Sequence, residues 1–301
     1  YDINEKAMEV AQSNYGIKKA NNFSDFDVLI ICVSTHRPDD MFSPQIDSLL
    51  SVMEKISREA KRGALISIES TIPKGTSKKV FEKVDHRLHV VHAPHRWYAL
   101  EENIHGVNQL RIIGGVSSCC LQHGLNFYDG VDIRISGNDG SSSSSSSIKQ
   151  RDSSLAPTSP MKTEGRSLQI PMHPVSSIEV AELTKIIENA HRYLQIAFAE
   201  ELALYCNANN ISFTELRHSL NTKWNVEILE PRDGIGGHCL PKDTKMFVNS
   251  SNTIKSKILQ AAIEKDEDYR EYSKNRDNGD KVIQLKNTDD KQKPQNSLLF
   301  Q

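Results

Sequence analysis

No apolar run in this sequence approaches the roughly 18 residues that mark a membrane span. Residues 1–15 are polar and mixed in charge, unlike a secretory leader. An excess of positive charge is also lacking, since 37 Lys and Arg stand against 39 Asp and Glu, for a formal net charge of -2 and a pI near 6.6. Neither nucleic acid nor a membrane surface is therefore expected as a partner. Cysteine is sparse and carries no CxxC spacing. The five residues (Cys32, Cys119, Cys120, Cys206 and Cys239) are odd in number and scattered, which argues against a disulfide framework or a structural zinc site and for a reducing cytoplasm. No metal ligand set and no internal repeat is read. The 301 residues suffice for one large or two ordinary domains, and they begin at Tyr1, as a fragment would.

What is present is alternation. "DVLIICVST" (27–35), "GALISIEST" (63–71), "LHVVHAP" (88–94) and "QLRIIGG" (109–115) are short β-branched runs ending in small or polar residues. Buried parallel strands read this way, with functional groups at their carboxyl ends. Between the first two, Ile46, Leu49, Leu50, Met53 and Ile56 recur at helical spacing and Gly63 closes the helix. "PKGTSKKVFEKVDHR" is a second, shorter crossover. Strands alternating with helices predict an α/β fold with an open, mostly parallel sheet of the dinucleotide-binding type over residues 1–136.

Residues 137–167 are rich in Ser, Gly and Pro and nearly devoid of apolar side chains. Such a segment buries too little surface to offset its ordering, so it is expected to be a flexible insertion, with a phosphorylated regulatory loop as the alternative. Residues 168–272 turn helical. A long helix without Gly or Pro is predicted from about 178 to 206, a short one is capped at Ser212 with Glu215 three residues on, and another follows near 251–272. Residues 273–301 are nearly all charged or amide residues and are expected to form a disordered tail.

Two stretches carry chemistry. On the long helix Lys185, Asn189 and Arg192 share one face at i, i+4 and i+7, among Leu183, Ile186, Ile187, Ala190 and Leu194. The stripe is either a solvated face or a set of polar groups turned toward a ligand, because polar groups on a buried helix need partners. In "RDGIGGHCLPKD" (232–243) a cysteine follows three glycines and precedes Pro241. A small buried thiol is the ordinary role of cysteine. Here the glycines let a ligand approach the backbone, and Pro241 suits the first turn of a helix, whose N-terminus favours a thiolate. Lys242 adds a positive charge. His238 and Cys239 are too few for a tetrahedral zinc site. Cys239 therefore reads as a nucleophile that adds to an aldehyde beside a nicotinamide. Lys and Asn would then stabilise the reacting oxygen, and Asp243 would orient or deprotonate a water.

These stretches resemble the UDP-glucose/GDP-mannose dehydrogenase family of NAD-dependent nucleotide-sugar 6-dehydrogenases. "GIGGHCLPKD" is similar to its catalytic cysteine motif, "AELTKIIENAHR" to its Lys/Asn helix, "ESTIPKGT" (69–76) to its third-strand motif and "YDIN" (1–4) to the end of its second strand. With "NTKWN" and "PMHPVSS", the chain looks most like the branch acting on UDP-N-acetylmannosamine. The resemblance covers 1–128 and 168–272. It implies NAD as cofactor, a UDP-sugar substrate and a homodimer built on the central helix. It implies Cys239 as nucleophile, Lys185 and Asn189 as oxyanion and water-orienting groups that also meet substrate, and Asp243 as the carboxylate near the hydrolytic water. Arg192 and Arg96 would face the substrate, Asp2 the adenosine ribose, and Thr35 and Thr71 the cofactor cleft.

The departures from the family pattern are specific. A first strand with a GxGxxG turn and a C-terminal nucleotide-binding domain have no counterpart in these residues, and His95 in "APHRW" stands where the family often has glutamate. UDP-glucose or GDP-mannose is the alternative substrate. A non-catalytic, dimerising remnant of the family is the alternative to an enzyme. A thiol hydrolase built on Cys239 lacks a His/Asn pair at suitable spacing.

Overall fold

The computed structural model describes residues 1–37, 39–40, 43–96, 103, 106–130, 167–250 and 255–277. The Ser-rich insertion (except Ser167) and the tail beyond Asp277 lie outside the described residues. Packing divides the chain into residues 1–191 with 238–255, and residues 192–237 with the described residues from 256 onward. The division does not fall at 168. The first half of the long helix and the cysteine segment pack with the sheet.

The first unit is built on five strands in the order β1-β2-β3-β4-β5. Strands β1 (Val28–Ile31), β2 (Leu65–Ile68) and β3 (His89–His92) run parallel, with Val28 opposite Leu65 and Leu65 opposite His89. Strand β4 (Arg111–Gly115) corrects an expectation. It pairs antiparallel with β3, Val91 opposite Gly115, and parallel with β5 (Met172–Pro174). A run buried on both faces looks the same in either direction, so composition carries no signal of strand polarity.

Helix α1 (Glu5–Tyr15) is a second correction, because "YDIN" leads into a helix and forms no strand. Asn4 caps it by accepting from the Lys6 and Ala7 N–H groups, and Gly16 closes it at φ 64. Helix α2 (Asp47–Glu59) buries Leu49, Met53 and Ile56, and α3 (Thr76–Lys83) buries Val80. Helix α4 (Ser118–Tyr128) starts at Ser117, whose hydroxyl accepts from Cys120 N–H.

Helix α5 (Ile178–Ala208) begins against the sheet. A Cβ on Gly114 would stand 2.8 Å from Ile178 Cα and 3.0 Å from Ala181 Cβ, so only glycine lets the helix seat this closely. Ile178 accordingly joins the core of Leu29, Ile31, Leu49, Met53 and Ile66. Helix α7 (Cys239–Val248) belongs to the same unit.

In the second unit the later half of α5 accompanies α6 (Phe213–Leu220) and α8 (Lys257–Asp277). Ser212 accepts from Glu215 N–H at 3.3 Å, the cap its spacing predicts. Helix α8 runs past Tyr272, where a disordered tail was expected to begin. Beyond Tyr272 the helix continues through residues 273–277 without apolar side chains, where Lys and Arg are good helix formers. Ile196 and Leu202 pack on the Ala199–Ile228–Leu229 cluster, and Ala197 and Leu204 are buried.

Candidate functional site

Because β1, β2 and β3 are parallel, the loops that follow them open on one side of the sheet. They carry Thr35, Thr71 and His95 respectively. Thr35 is buried, and its hydroxyl accepts from Lys242 Nζ at 3.0 Å. The same ammonium lies 2.9 Å from Asp243 Oδ1, and Asp243 Oδ2 accepts from Asn189 Nδ2 at 2.5 Å. Thr35, Lys242, Asp243 and Asn189 thus form one continuous chain of contacts joining β1, α7 and α5. Lys242 and Asp243 are buried, and a buried charge pair holds only when each partner is met.

The helical repeat extends this junction. Cys239 stands one turn before Asp243 on α7, and Lys185 one turn before Asn189 on α5. Cys239 opens α7 and is exposed; its Sγ lies 3.6 Å from His238 Nε2. The His238 ring is 5.1 Å from that of His36, whose Nδ1 is 3.0 Å from Ser34 Oγ. Burial lowers the His238 imidazole below its usual value, and the positive charges of His36 and Lys242 add to this. Lys242, expected as a positive charge near the thiol, has specific partners of its own, Thr35 and Asp243.

A buried network underlies His95. Arg111 pairs with Glu69 at 3.0 Å and donates to the Ala93 carbonyl. Tyr128 donates to Glu69 Oε1 at 2.6 Å, and its oxygen lies 2.7 Å from Ser67 Oγ. Burial lowers the His95 imidazole, Arg111 adds to this, Glu69 opposes it, and Lys185 contributes in the same direction as Arg111. His95 and Lys185 are thus within electrostatic reach of each other.

Four other residues were expected at the site. Arg96 is engaged by Glu188 through Nε and Nη2, and by the Leu110 carbonyl at 3.0 Å from Nη1. Asp2 is exposed and accepts from Asn4 N–H at 2.8 Å. Thr71 is half-buried in the loop before α3. Arg192 is exposed and opens the second unit.

Two residues of the region escaped the sequence reading. His36 packs on His238, the neighbour of Cys239, and only its position just after the first strand-like run hinted at it. The second is Glu182, which is fully buried and accepts from Gly75 N–H at 2.5 Å and Ser77 N–H at 2.7 Å. It therefore fills the N-terminus of α3, where unpaired N–H groups attract an anion. Burial still raises its carboxyl above the usual value, against the lowering by those hydrogen bonds.

Residues 3–132 match the NAD binding domain of the UDP-glucose/GDP-mannose dehydrogenase family, and residues 179–268 match the central domain of that family. A UDP-N-acetyl-D-mannosamine dehydrogenase of Campylobacter jejuni is 27% identical over 267 residues, which cover 83% of this chain and 56% of that protein. One from Methanococcus maripaludis is 28% identical over 252 residues, 83% of this chain and 50% of that protein. Among solved structures, the UDP-D-ManNAc dehydrogenase from Pyrococcus horikoshii superposes with a TM-score of 0.60 at 26% identity, covering 82% of this chain and 51% of that one. The native UDP-N-acetyl-mannosamine dehydrogenase Cap5O from Staphylococcus aureus gives 0.61 at 26% identity, with 89% and 56% covered. The chain spans about half the length of the curated relatives it matches. Two domain models of one family match it in succession, on either side of the Ser-rich segment, and the chain belongs to the UDP-glucose/GDP-mannose dehydrogenase family.

Proposed function

We propose that the chain carries the chemistry of an NAD-dependent nucleotide-sugar 6-dehydrogenase. It would oxidise the C6 hydroxyl of a UDP-N-acetylhexosamine, with UDP-N-acetylmannosamine favoured, to the uronic acid. The observation that supports this is the Asn189–Asp243 hydrogen bond, which joins the Lys185/Asn189 turn of α5 to the Cys239/Asp243 turn of α7. The names of the relatives favour the UDP-N-acetylmannosamine substrate.

The residues present fit a dinucleotide, since three parallel strands end on one side of the sheet and Thr35 and Thr71 follow two of them. Asp2 is the candidate for the ribose hydroxyls. When bound, NAD would supply the hydride acceptor for both oxidations, of the C6 alcohol and of the thiohemiacetal. Cys239 Sγ adds to the C6 aldehyde to form that thiohemiacetal, and the resulting thioester is hydrolysed by water. Neutral His238, 3.6 Å from the sulfur, is suited to take the thiol proton. Lys185 and the second N–H of the Asn189 amide donate to the oxygen that gains charge.

Asp243 is buried, ion-paired with Lys242 through Oδ1 and accepting from Asn189 through Oδ2. Its role is therefore to hold Asn189 and, through it, the water, and proton abstraction falls to another group. Arg192 remains the candidate for the substrate's charged or polar groups. Arg96, held by Glu188, would have to exchange that partner. Five free thiols are compatible with a reducing compartment such as the cytoplasm.

NADH formation with a panel of UDP- and GDP-sugars tests the reading. Two NADH per UDP-N-acetylmannosamine would support it, preference for UDP-glucose or GDP-mannose would move the substrate, and no turnover with any sugar would leave the non-catalytic alternative.

A further inference from the structure

Away from the cysteine segment, His89, Cys119 and His123 bring two imidazoles and a thiol together at the surface of the first unit, with one ligand atom of each within 4.8 Å of the others. We propose that these three residues form a binding site for a soft or borderline divalent cation of the zinc type. The ligands come from two elements. Cys119 and His123 are one turn apart on α4 and so project from one face, and His89 opens β3. Cys119 Sγ lies 3.8 Å from His123 Nδ1 and 3.9 Å from His89 Nδ1.

Those spacings are the physical argument. Zinc binds sulfur at about 2.3 Å and imidazole nitrogen at about 2.0 Å, so a tetrahedral S–Zn–N angle separates the two donors by about 3.5 Å. The two sulfur–nitrogen distances need to contract by only a few tenths of an ångström. The rings are stacked, with centroids 3.6 Å apart and planes 16° from parallel. Stacking holds both Nδ1 lone pairs in nearly parallel planes, so binding requires the rings to rotate about their Cβ–Cγ bonds and give up the stack until both Nδ1 atoms face one point. Burial together with the neighbouring His123 lowers the His89 imidazole, which favours its neutral, ligating form.

Binding exchanges one contact and one proton. His123 Nδ1–H donates to the Cys119 carbonyl at 2.9 Å; on binding, that proton moves through solvent to Nε2 and the contact gives way to a metal–nitrogen bond. The Cys119 thiol loses its proton to solvent as the metal–sulfur bond forms. Three protein ligands leave the fourth tetrahedral position to water. Cys119 and His123 are exposed, so a cation reaches the site without opening the core. The separation of 30 positions between His89 and Cys119 hides this set from any spacing rule.

Cobalt(II) reports the site by spectroscopy. The whole chain carrying Cys239→Ser, which removes the other exposed thiol beside histidines, is titrated with cobalt(II) under reducing conditions. A thiolate-to-cobalt charge-transfer band with tetrahedral visible bands is expected, bleached by one equivalent of zinc. Adding Cys119→Ser should abolish the band, and His123→Gln, at an exposed position that tolerates it, should weaken zinc binding at least about tenfold. Absence of the band in the Cys239→Ser chain, or its survival after Cys119→Ser, overturns the proposal.

Discussion

Lys242 Nζ donates to Thr35 Oγ1 at 3.0 Å, across 207 positions of sequence, with both residues buried. This contact ties the first turn of α7 to the loop after β1, and the 2.9 Å pair with Asp243 neutralises the ammonium within the same turn. Removing the lysine leaves Asp243 buried and short of one partner. Lys242→Met is expected to lower stability by about 3–5 kcal/mol, the usual cost of an uncompensated buried charge. The double change Lys242→Met with Asp243→Leu should cost clearly less than the sum of the single changes. Denaturant unfolding of the four chains of the cycle measures this, and simple additivity would show that the pair is not coupled.

Cys239→Ser is expected to stop net uronate formation in an active enzyme, because a serine hydroxyl is a far weaker nucleophile than a thiol at neutral pH. Cys206→Ala should leave the rate per folded molecule unchanged, since Cys206 is buried in the second unit with no glycine-rich approach. Steady-state NADH production compares the two. Near wild-type turnover by Cys239→Ser would remove the nucleophile.

Asp243→Asn tests positioning against proton abstraction. An asparagine keeps the shape but weakens the hold on Lys242 and Asn189. If Asp243 only orients Asn189, kcat should fall while the pH profile keeps its shape. Loss of the acidic limb of kcat/KM would instead make Asp243 the base.

Much of this arrangement is periodic and so legible in the sequence. Apolar runs marked β1 to β3, and i, i+4 spacing paired Lys185 with Asn189 and Cys239 with Asp243. What could not be read was mutual. Nothing in the pattern of α5 says that Glu182, a glutamate in an amphipathic stretch, will accept from Gly75 and Ser77 more than a hundred residues earlier. The direction of β4 was equally hidden, because an apolar run has no polarity. The caps of α1 were present in Asn4 and Gly16, but the resemblance of "YDIN" to a strand end outweighed that local chemistry.

The second unit has a pH dependence that follows from Glu200. It is fully buried, and burial together with neighbouring Asp266 pushes its carboxyl up to about 8 from 4.5. Below the lower value both folded and unfolded chains carry the proton, and between the two only the folded chain does. The contribution of Glu200 therefore falls as pH rises across that window and levels off above it. Glu200→Gln should flatten the decline in Tm between pH 5 and pH 8 and raise Tm at pH 8 relative to wild type. Parallel Tm curves for the two proteins would contradict this.

The proposed self-association would use an exposed stripe. Val180, Ile187, Phe198 and Tyr205 are 41%, 41%, 51% and 57% exposed along α5. Their spacings of 7, 11 and 7 residues bring them back to nearly the same side of a helix of 3.6 residues per turn. Ile196, Ala197, Leu202 and Leu204 of the same helix pack within the second unit, whereas Phe198 stays exposed and available to a partner. A groove lined by Val180, Leu183, Thr184, Ile187, Glu188 and His191 follows the first half of the stripe. A second copy of the chain presenting the same helix would cover it by two-fold symmetry. Light scattering should give a dimer at tens of micromolar, and Phe198→Glu should shift it to monomer without loss of helical circular dichroism. A wild-type monomer that is fully folded at that concentration would exclude the dimer, and Phe198→Glu would then change nothing, because an exposed glutamate on a solvated helix face is neutral.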